Sequence, residues 1–456
     1  MQNFKSKDLS NSPRTDGEAE NLASVGHAVH YPNTPIFSDT LHLLDDISSL
    51  VNLKAAFKKV KANKGAPGID KLSVSTVNDN LSFYLDLIHS QLRTRKFKPS
   101  PVKRVLIPKP SGGNRALGIP IVLDRIVQQA ILQIINPFFD EQFSDYSFGF
   151  RKGKSAHQAV KVAQKFVCSG KKITLSVDFK RCFDMINHNL LINQLRNRIS
   201  DKRVIHLIAL FLRAGIMDGN QLSSNLRGTP QGGPLSPLLM NIFLHQLDLW
   251  LSQRGFSFVR YADDLTVFLG SSRAAHRLFD NLARFVERKL KLPINQDKSS
   301  INSLYTSILG FRLKSNGQLS ISKDNIRSLK FKIRRLTKRN LPWSIPFIIK
   351  RLNAILRGWF HYFKIASAKR IFREIDSWIK HRFRAKFLKQ FKRKKSIFKR
   401  LSKRIHPHLA RAIAFSHKGL WRLSMSFPMH RAYNNHFFYW VLHLFSLSVA
   451  YKRSLM

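Results

Sequence analysis

Hydrophobic positions along the chain change their spacing once. From Leu41 to about Leu313, runs spaced at three and four residues alternate with short runs spaced at two, the pattern of an α/β or α+β region. Ile173-Thr-Leu-Ser-Val-Asp178 alternates apolar and polar residues and ends on a carboxylate. Between Phe256 and Phe268 two β-prone arms flank Ala262-Asp263-Asp264, which predicts a hairpin. After the turn signal Ser315-Asn-Gly317 the spacing predicts only helix. Ile326, Leu329, Ile333 and Leu336 mark a first amphipathic segment, and Ile348, Leu352, Ile355, Leu356, Trp359 and Phe363 a second. Ile371, Ile375, Trp378, Ile379 and Phe383 mark a third. Lys and Arg fill the opposite faces, so a small basic bundle is expected. Residues 1–38 are rich in Ser, Asn, Pro and charge without periodicity and read as a disordered tail.

Charge changes the picture more than composition does. A hydrophobic content of 43% over 456 residues suits two or three globular domains, but 78 Lys+Arg against 27 Asp+Glu leave a formal charge of +51. Such a field attracts polyanions, and nucleic acid is the default partner. From Ile321 to Met456 there are 34 Lys and Arg and only three acids, Asp324, Glu374 and Asp376. A run with so little compensating charge reads as a phosphate-binding surface, with Lys392, Arg393, Lys394 and Lys395 as its densest cluster. No apolar run reaches the roughly 20 residues that span a bilayer. The best candidate, residues 437–450, contains His443, Ser446 and Ser448 and is expected to be a buried C-terminal helix, so no membrane partner is expected. Cys168 and Cys182 are the only cysteines, too few for a disulfide framework or a four-Cys zinc site. With no signal-peptide core, a cytoplasmic location is expected.

The sharpest chemical feature is Asp263-Asp264 between apolar arms. Adjacent carboxylates in partly desolvated surroundings repel each other, and a hard divalent cation such as Mg²⁺ relieves that repulsion. An Asp-Asp pair alone is weak evidence, since most such pairs are simply hairpin turns. Asp178, at the end of an earlier strand, supplies a third carboxylate at one end of a sheet. Two-metal phosphoryl transfer needs such a set.

Five ordered motifs carry a family resemblance. They are Lys109-Pro-Ser-Gly-Gly-Asn-Arg115 with Leu117-Gly-Ile-Pro120, then Phe148-Gly-Phe-Arg151 with Ser155-Ala-His157, then Val177-Asp178-Phe179 with Phe183-Asp184. Gly228-Thr-Pro-Gln-Gly-Gly-Pro-Leu-Ser-Pro237 and Tyr261-Ala-Asp-Asp264 complete the set. In this order they resemble the reverse transcriptases encoded by group II introns, and Arg357-Gly-Trp-Phe-His-Tyr-Phe363 resembles their thumb, or maturase, domain. The resemblance implies a right-hand polymerase with α/β fingers and palm over residues 39–315, an all-helical thumb over 316–400 and a basic C-terminal extension over 401–456. It implies two Mg²⁺ ions, with Mn²⁺ as a substitute, on Asp178, Asp263, Asp264 and the Phe179 carbonyl. Lys109 and Arg115 would clamp the incoming dNTP, and Gln231 and Gly232 would lie beside the nascent base pair. Phe183 would act as a sugar gate, against the plain alternative of a core Phe. Lys298 would donate a proton to leaving pyrophosphate, and Leu309-Gly-Phe311 would form a primer-grip turn. The implied partners are an RNA template, a DNA primer and structured intron RNA. No Cys-bearing endonuclease domain follows in this sequence, so DNA nicking is not expected. A splicing maturase without polymerase activity and a domesticated enzyme of DNA repair or phage defence remain alternatives. An RNA-dependent RNA polymerase shares the paired aspartates but fits Phe183 and the fingers motif less well.

Overall fold

The computed structural model describes residues 40–108, 113–219, 221–230, 232–303 and 305–455. The 1–38 segment, Lys109 and Gln231 lie outside the described residues. The chain divides into two compact units. One holds the described residues up to Ser144 with Lys180–Ser257 and Phe285–Pro293; the other holds Asp145–Phe179, Phe258–Arg284 and 294 onward.

The first unit is organised on two buried helices. Val122–Asp140 carries Val122, Ile126, Val127, Ala130, Ile131 and Ile135 at full burial. Helix Leu50–Ala62 packs beside it, started by the Ser49 hydroxyl, which accepts from the Asn52 amide. Their contact is pinned by Asn52, which donates to the Ala130 carbonyl (3.2 Å) and accepts from Gln133 (2.6 Å). The second, Ser236–Gln253, is apolar on nearly every face, which marks a helix covered on all sides. A mixed four-stranded sheet runs in the order Asn114–Ile119, Val102–Pro108, Ile216–Asp218, Gln221–Ser223. Arg115 lies on its outer strand opposite Ile107, with an exposed side chain.

A buried acid in this unit makes its stability depend on pH. Asp124 is 2% exposed, and its Oδ2 accepts from the Ser100 amide at 2.9 Å. Desolvation pushes its carboxyl up to about 7; the Ser100 bond opposes this and the charge of Asp70 adds to it. The folded chain therefore holds a proton that the unfolded chain has already released, so stability is highest below the ordinary carboxylate range and falls as pH rises toward 7. The loss is at most about 4 kcal/mol for three pK units. Asp124→Asn keeps an acceptor for Ser100 and removes the charge. Denaturant midpoints at pH 5 and pH 8 should then show the variant gaining on the native chain at the higher pH; an unchanged difference would refute the assignment.

The second unit contains an antiparallel sheet in the order Ser257–Tyr261, Asp264–Leu269, Ile173–Val177, Ser300–Asn302. The predicted hairpin is present, and so are the three basic helices, Lys323–Leu336, Ile345–Phe363 and Lys369–Gln390. Ser322 and Ser344 cap the first two, each hydroxyl accepting an amide of the first turn. A single core runs from Phe148 and Phe268 through Leu352, Phe372 and Phe383 to Phe438, Leu447 and Tyr451, so the C-terminal segment belongs to the bundle. Its interior cations are held by carbonyls. Lys386 donates to Lys338 O (3.0 Å) and Leu341 O (3.1 Å), and Arg384 donates to Tyr433 O (2.8 Å). Desolvation lowers the Lys386 ammonium and pushes Arg384 down to about 10.

Two expectations need correction. Structure after Gly317 is not purely helical, because Leu319–Ile321 pairs antiparallel with Phe311–Lys314; Leu319 and Ile321 are buried around a half-exposed Ser320, a two-residue period too short to stand out in sequence. The 437–450 segment is not one helix. It forms a wide turn at Phe437–Val441, passes through His443 with φ 52, and restarts as Leu447–Arg453. The break is stabilised by polar groups elsewhere in the bundle. Asn353 donates to His443 O (2.7 Å) and accepts from Phe445 N (2.8 Å). The buried Asp376 carboxylate accepts from the amides of Leu447 and Ser448. No helix among the described residues is long and apolar enough to cross a membrane.

Candidate active site

The site grows from strand register. Ile173–Val177 and Asp264–Leu269 run antiparallel with Val177 opposite Leu265, so one further step brings Asp178 across from Asp264. Asp264 opens its strand, and Ala262 with Asp263 forms the tight turn leading into it. Ala262 has φ 60, a conformation side chains disfavour, so the turn needs support. Arg260, fully buried on the preceding strand, donates to the Ala262 carbonyl at 2.9 Å. Gly149 backs the turn from outside, where a Cβ would collide with the Ala262 backbone nitrogen, so only glycine fits. Its segment is fixed by backbone bonds from Phe148 N to Arg260 O (2.8 Å) and from Arg260 N to Tyr146 O (2.9 Å).

Asp178, Asp264 and Lys298 line one cavity of about 220 Å³. Asp178 and Asp263 are half-buried, and Asp264 is exposed at the start of its strand. Desolvation pushes the Asp264 carboxyl up to about 6, and the charges of Asp263 and Asp178 add to the effect. Mutual repulsion among three carboxylates is the electrostatic condition a divalent cation relieves, so these residues fit Mg²⁺ in donor chemistry and in charge. No group of three or more His, Cys, Asp or Glu side chains among the described residues is placed to hold a metal ion.

A second polar cluster lies at Leu309-Gly-Phe311. Tyr362 donates its hydroxyl to Leu309 O (2.8 Å), His157 Nε2 lies 2.6 Å from Tyr362 O, and Asn325 donates to Gly310 O (3.2 Å). Residues from three separate sequence motifs thus meet at one turn.

Phe179 is buried and bridges Ile294. Arg115, Phe183 and Gly232 belong to the first unit. Phe183 is half-buried on the short helix Cys182–Met185, and its carbonyl accepts from Thr229 N (2.8 Å). That bond ties the segment to the Gly228–Pro237 motif. Gly232 has φ 130, and a Cβ there would meet the Gly118 carbonyl, so the motif lies directly on the strand that carries Arg115. Lys392, Arg393, Lys394 and Lys395 are all exposed at the start of helix Lys394–Leu401. Sequence reasoning missed the bracing by Gly149 and Arg260. Arg260 had a visible signal, a lone charge among the apolar residues of a strand.

These features define a class, and the comparisons agree. Residues 107–313 match the model of the reverse transcriptase (RNA-dependent DNA polymerase) family, and residues 326–412 match the group II intron maturase-specific domain. Protein YkfC of Escherichia coli is 31% identical over 289 residues, covering 55% of this chain and 76% of that protein. The group II intron-encoded protein LtrA of Lactococcus lactis is 32% identical over 247 residues, 54% of this chain and 40% of LtrA. The putative COX1/OXI3 intron 2 protein of Saccharomyces cerevisiae is 31% identical over 347 residues, 62% of this chain and 40% of the yeast protein. The chain belongs to the group II intron-encoded reverse transcriptase/maturase family, and spans less than half the length of the yeast and Lactococcus relatives.

Proposed function

We propose that this chain is an RNA-directed DNA polymerase that extends a primer 3′-hydroxyl with dNTPs on an RNA template, and that it also binds group II intron RNA as a maturase. The observation that carries the reading is the register setting Asp178 across from Asp264, beside Asp263 and on a cavity shared with Lys298. Asp178, Asp263 and Asp264 would hold Mg²⁺, with Mn²⁺ as substitute and the Phe179 carbonyl as a further ligand. The metal, when bound, lowers the pKa of the attacking hydroxyl and neutralises charge on the transferred phosphoryl group. Lys298 would protonate the departing pyrophosphate. Lys109 and Arg115 would fix the triphosphate, a point charge and a planar fork for a polyphosphate. Gln231 and Gly232 would flank the nascent pair. The basic helices after residue 316 would serve as thumb and maturase surface, gripping RNA through its phosphates.

The direct test is primer extension on an RNA template with Mg²⁺ and dNTPs; no product from the folded chain would overturn the reading. Phe183 adds a finer expectation. Half-buried on the helix Cys182–Met185 and tied to Thr229 through its carbonyl, it would place its ring beneath C2′ of the sugar. Phe183→Ala should then raise ribonucleotide use relative to deoxynucleotide, read as the ratio of the two kcat/KM values. An unchanged ratio would make Phe183 a packing residue.

A further inference from the structure

The turn after Pro293 clasps Asp178 from three sides. Asn295 Nδ2 donates to Asp178 Oδ2 at 2.9 Å, and the Asn295 amide donates to the Asp178 carbonyl at 2.8 Å. The Asp178 amide donates to Ser299 Oγ at 3.2 Å, and that hydroxyl in turn donates to Asn295 O at 2.8 Å. Two of these bonds fix the backbone of Asp178. The Asn295 side-chain carboxamide donates to its carboxylate, and among the described residues it is the one hydrogen-bond donor there, leaving Oδ1 without a hydrogen-bond partner.

The chemistry of the donor matters. A Lys or Arg in this position would orient the carboxylate but also cancel its charge and compete with a cation. A carboxamide orients it and leaves its full negative charge in place. One donor on Oδ2 sets the plane of the group, so Oδ1 is presented in a fixed direction. Such outer partners of a ligating carboxylate commonly set metal affinity by about 10- to 100-fold. The same turn carries Lys298 to the cavity that Asp178 lines, so carboxylate and ammonium are delivered by one short stretch of chain.

We propose that Asn295 is a positioning residue for Asp178, its side-chain amide orienting the carboxylate toward a divalent cation without neutralising it. The proposal rests on the metal-binding role assigned to Asp178 above. Asn295→Ala removes only the side-chain donor, because the bonds from the Asn295 amide and through Ser299 are unaffected.

The test is Mn²⁺ binding to the full chain, followed by electron paramagnetic resonance without nucleotide or nucleic acid. The native chain, Asn295→Ala and Asp178→Asn would be compared. Asn295→Ala should weaken Mn²⁺ about 10- to 100-fold. It should raise the Mg²⁺ concentration for half-maximal primer extension by a similar factor, with the rate at saturating Mg²⁺ within a few-fold of native. A residue that merely braces the turn would lower that saturated rate and leave Mn²⁺ affinity alone. Unchanged Mn²⁺ affinity in Asn295→Ala, with weakened binding in Asp178→Asn, overturns the proposal while keeping the metal assignment. Unchanged affinity in both variants overturns the metal assignment and the proposal together. If Asn295→Ala loses its thermal transition, Asn295→Leu, close in size and without a donor, carries the same comparison.

Discussion

Asp263→Asn should abolish primer extension while the chain stays folded and continues to bind RNA. Asp263 sits at the hairpin turn, half-buried, beside the strand that Asp264 opens. The amide is nearly isosteric with the acid, so the turn and its support from Arg260 and Gly149 should persist. What changes is charge. One carboxylate fewer means weaker attraction for a divalent cation and less stabilisation of a charged transition state. Losing a single electrostatic contributor of this kind costs on the order of 10²–10³-fold or more in rate. Desolvation, the main cause of the raised Asp264 carboxyl, stays, but the added repulsion from Asp263 is lost, so its pKa should fall part of the way toward the ordinary range. RNA affinity should hold, because neutralising an acid makes a chain of formal charge +51 more positive still. Single-turnover extension and filter binding, run on one preparation, separate the two effects. Near-native extension would remove Asp263 from the metal site.

The second large effect belongs to the basic cluster. Changing Lys392, Arg393, Lys394 and Lys395 together to Gln should weaken RNA binding on every sequence and flatten its dependence on salt. All four side chains are exposed, and none lines the cavity of Asp178, Asp264 and Lys298. Each lost phosphate contact removes about 0.7–0.9 from the log–log slope, so four contacts would remove about 3. Affinity for a structured RNA across a KCl series gives the slope directly. Extension from a saturated primer–template should change far less. An unaltered slope would reduce the cluster to a solvated face. Normal affinity with a collapsed rate would move it to the reaction centre.

Much of this was legible in sequence because the carriers were local. The hairpin around Ala262-Asp263-Asp264 and the three basic helices follow from spacing alone, since each buries one stripe of residues close together in the chain. The meeting of Asp178 with Asp264 was readable for another reason: a strand ending on a carboxylate can be matched by eye to a hairpin. The supports were not readable. Gly149 is 113 positions from the Ala262 backbone it accommodates, and Asn295 lies 117 positions from the carboxylate it touches. Neither residue type announces its partner. The C-terminus failed for a related reason. An apolar run suggested one helix, but Asn353 and Asp376 supply the hydrogen bonds that make a break at His443 affordable, and both are remote in sequence.

The cations inside the helical bundle bear on how this protein is handled at the bench. Lys386 and Arg384 are bonded to neutral carbonyl oxygens, so ionic strength has no attractive ion pair to screen there. The exposed Lys and Arg side chains, by contrast, would hold polyanions only through contacts that salt dissolves. Concentrated salt during purification should therefore act selectively, stripping adventitious nucleic acid from the outside while the apolar core and its carbonyl-bonded cations stay in place.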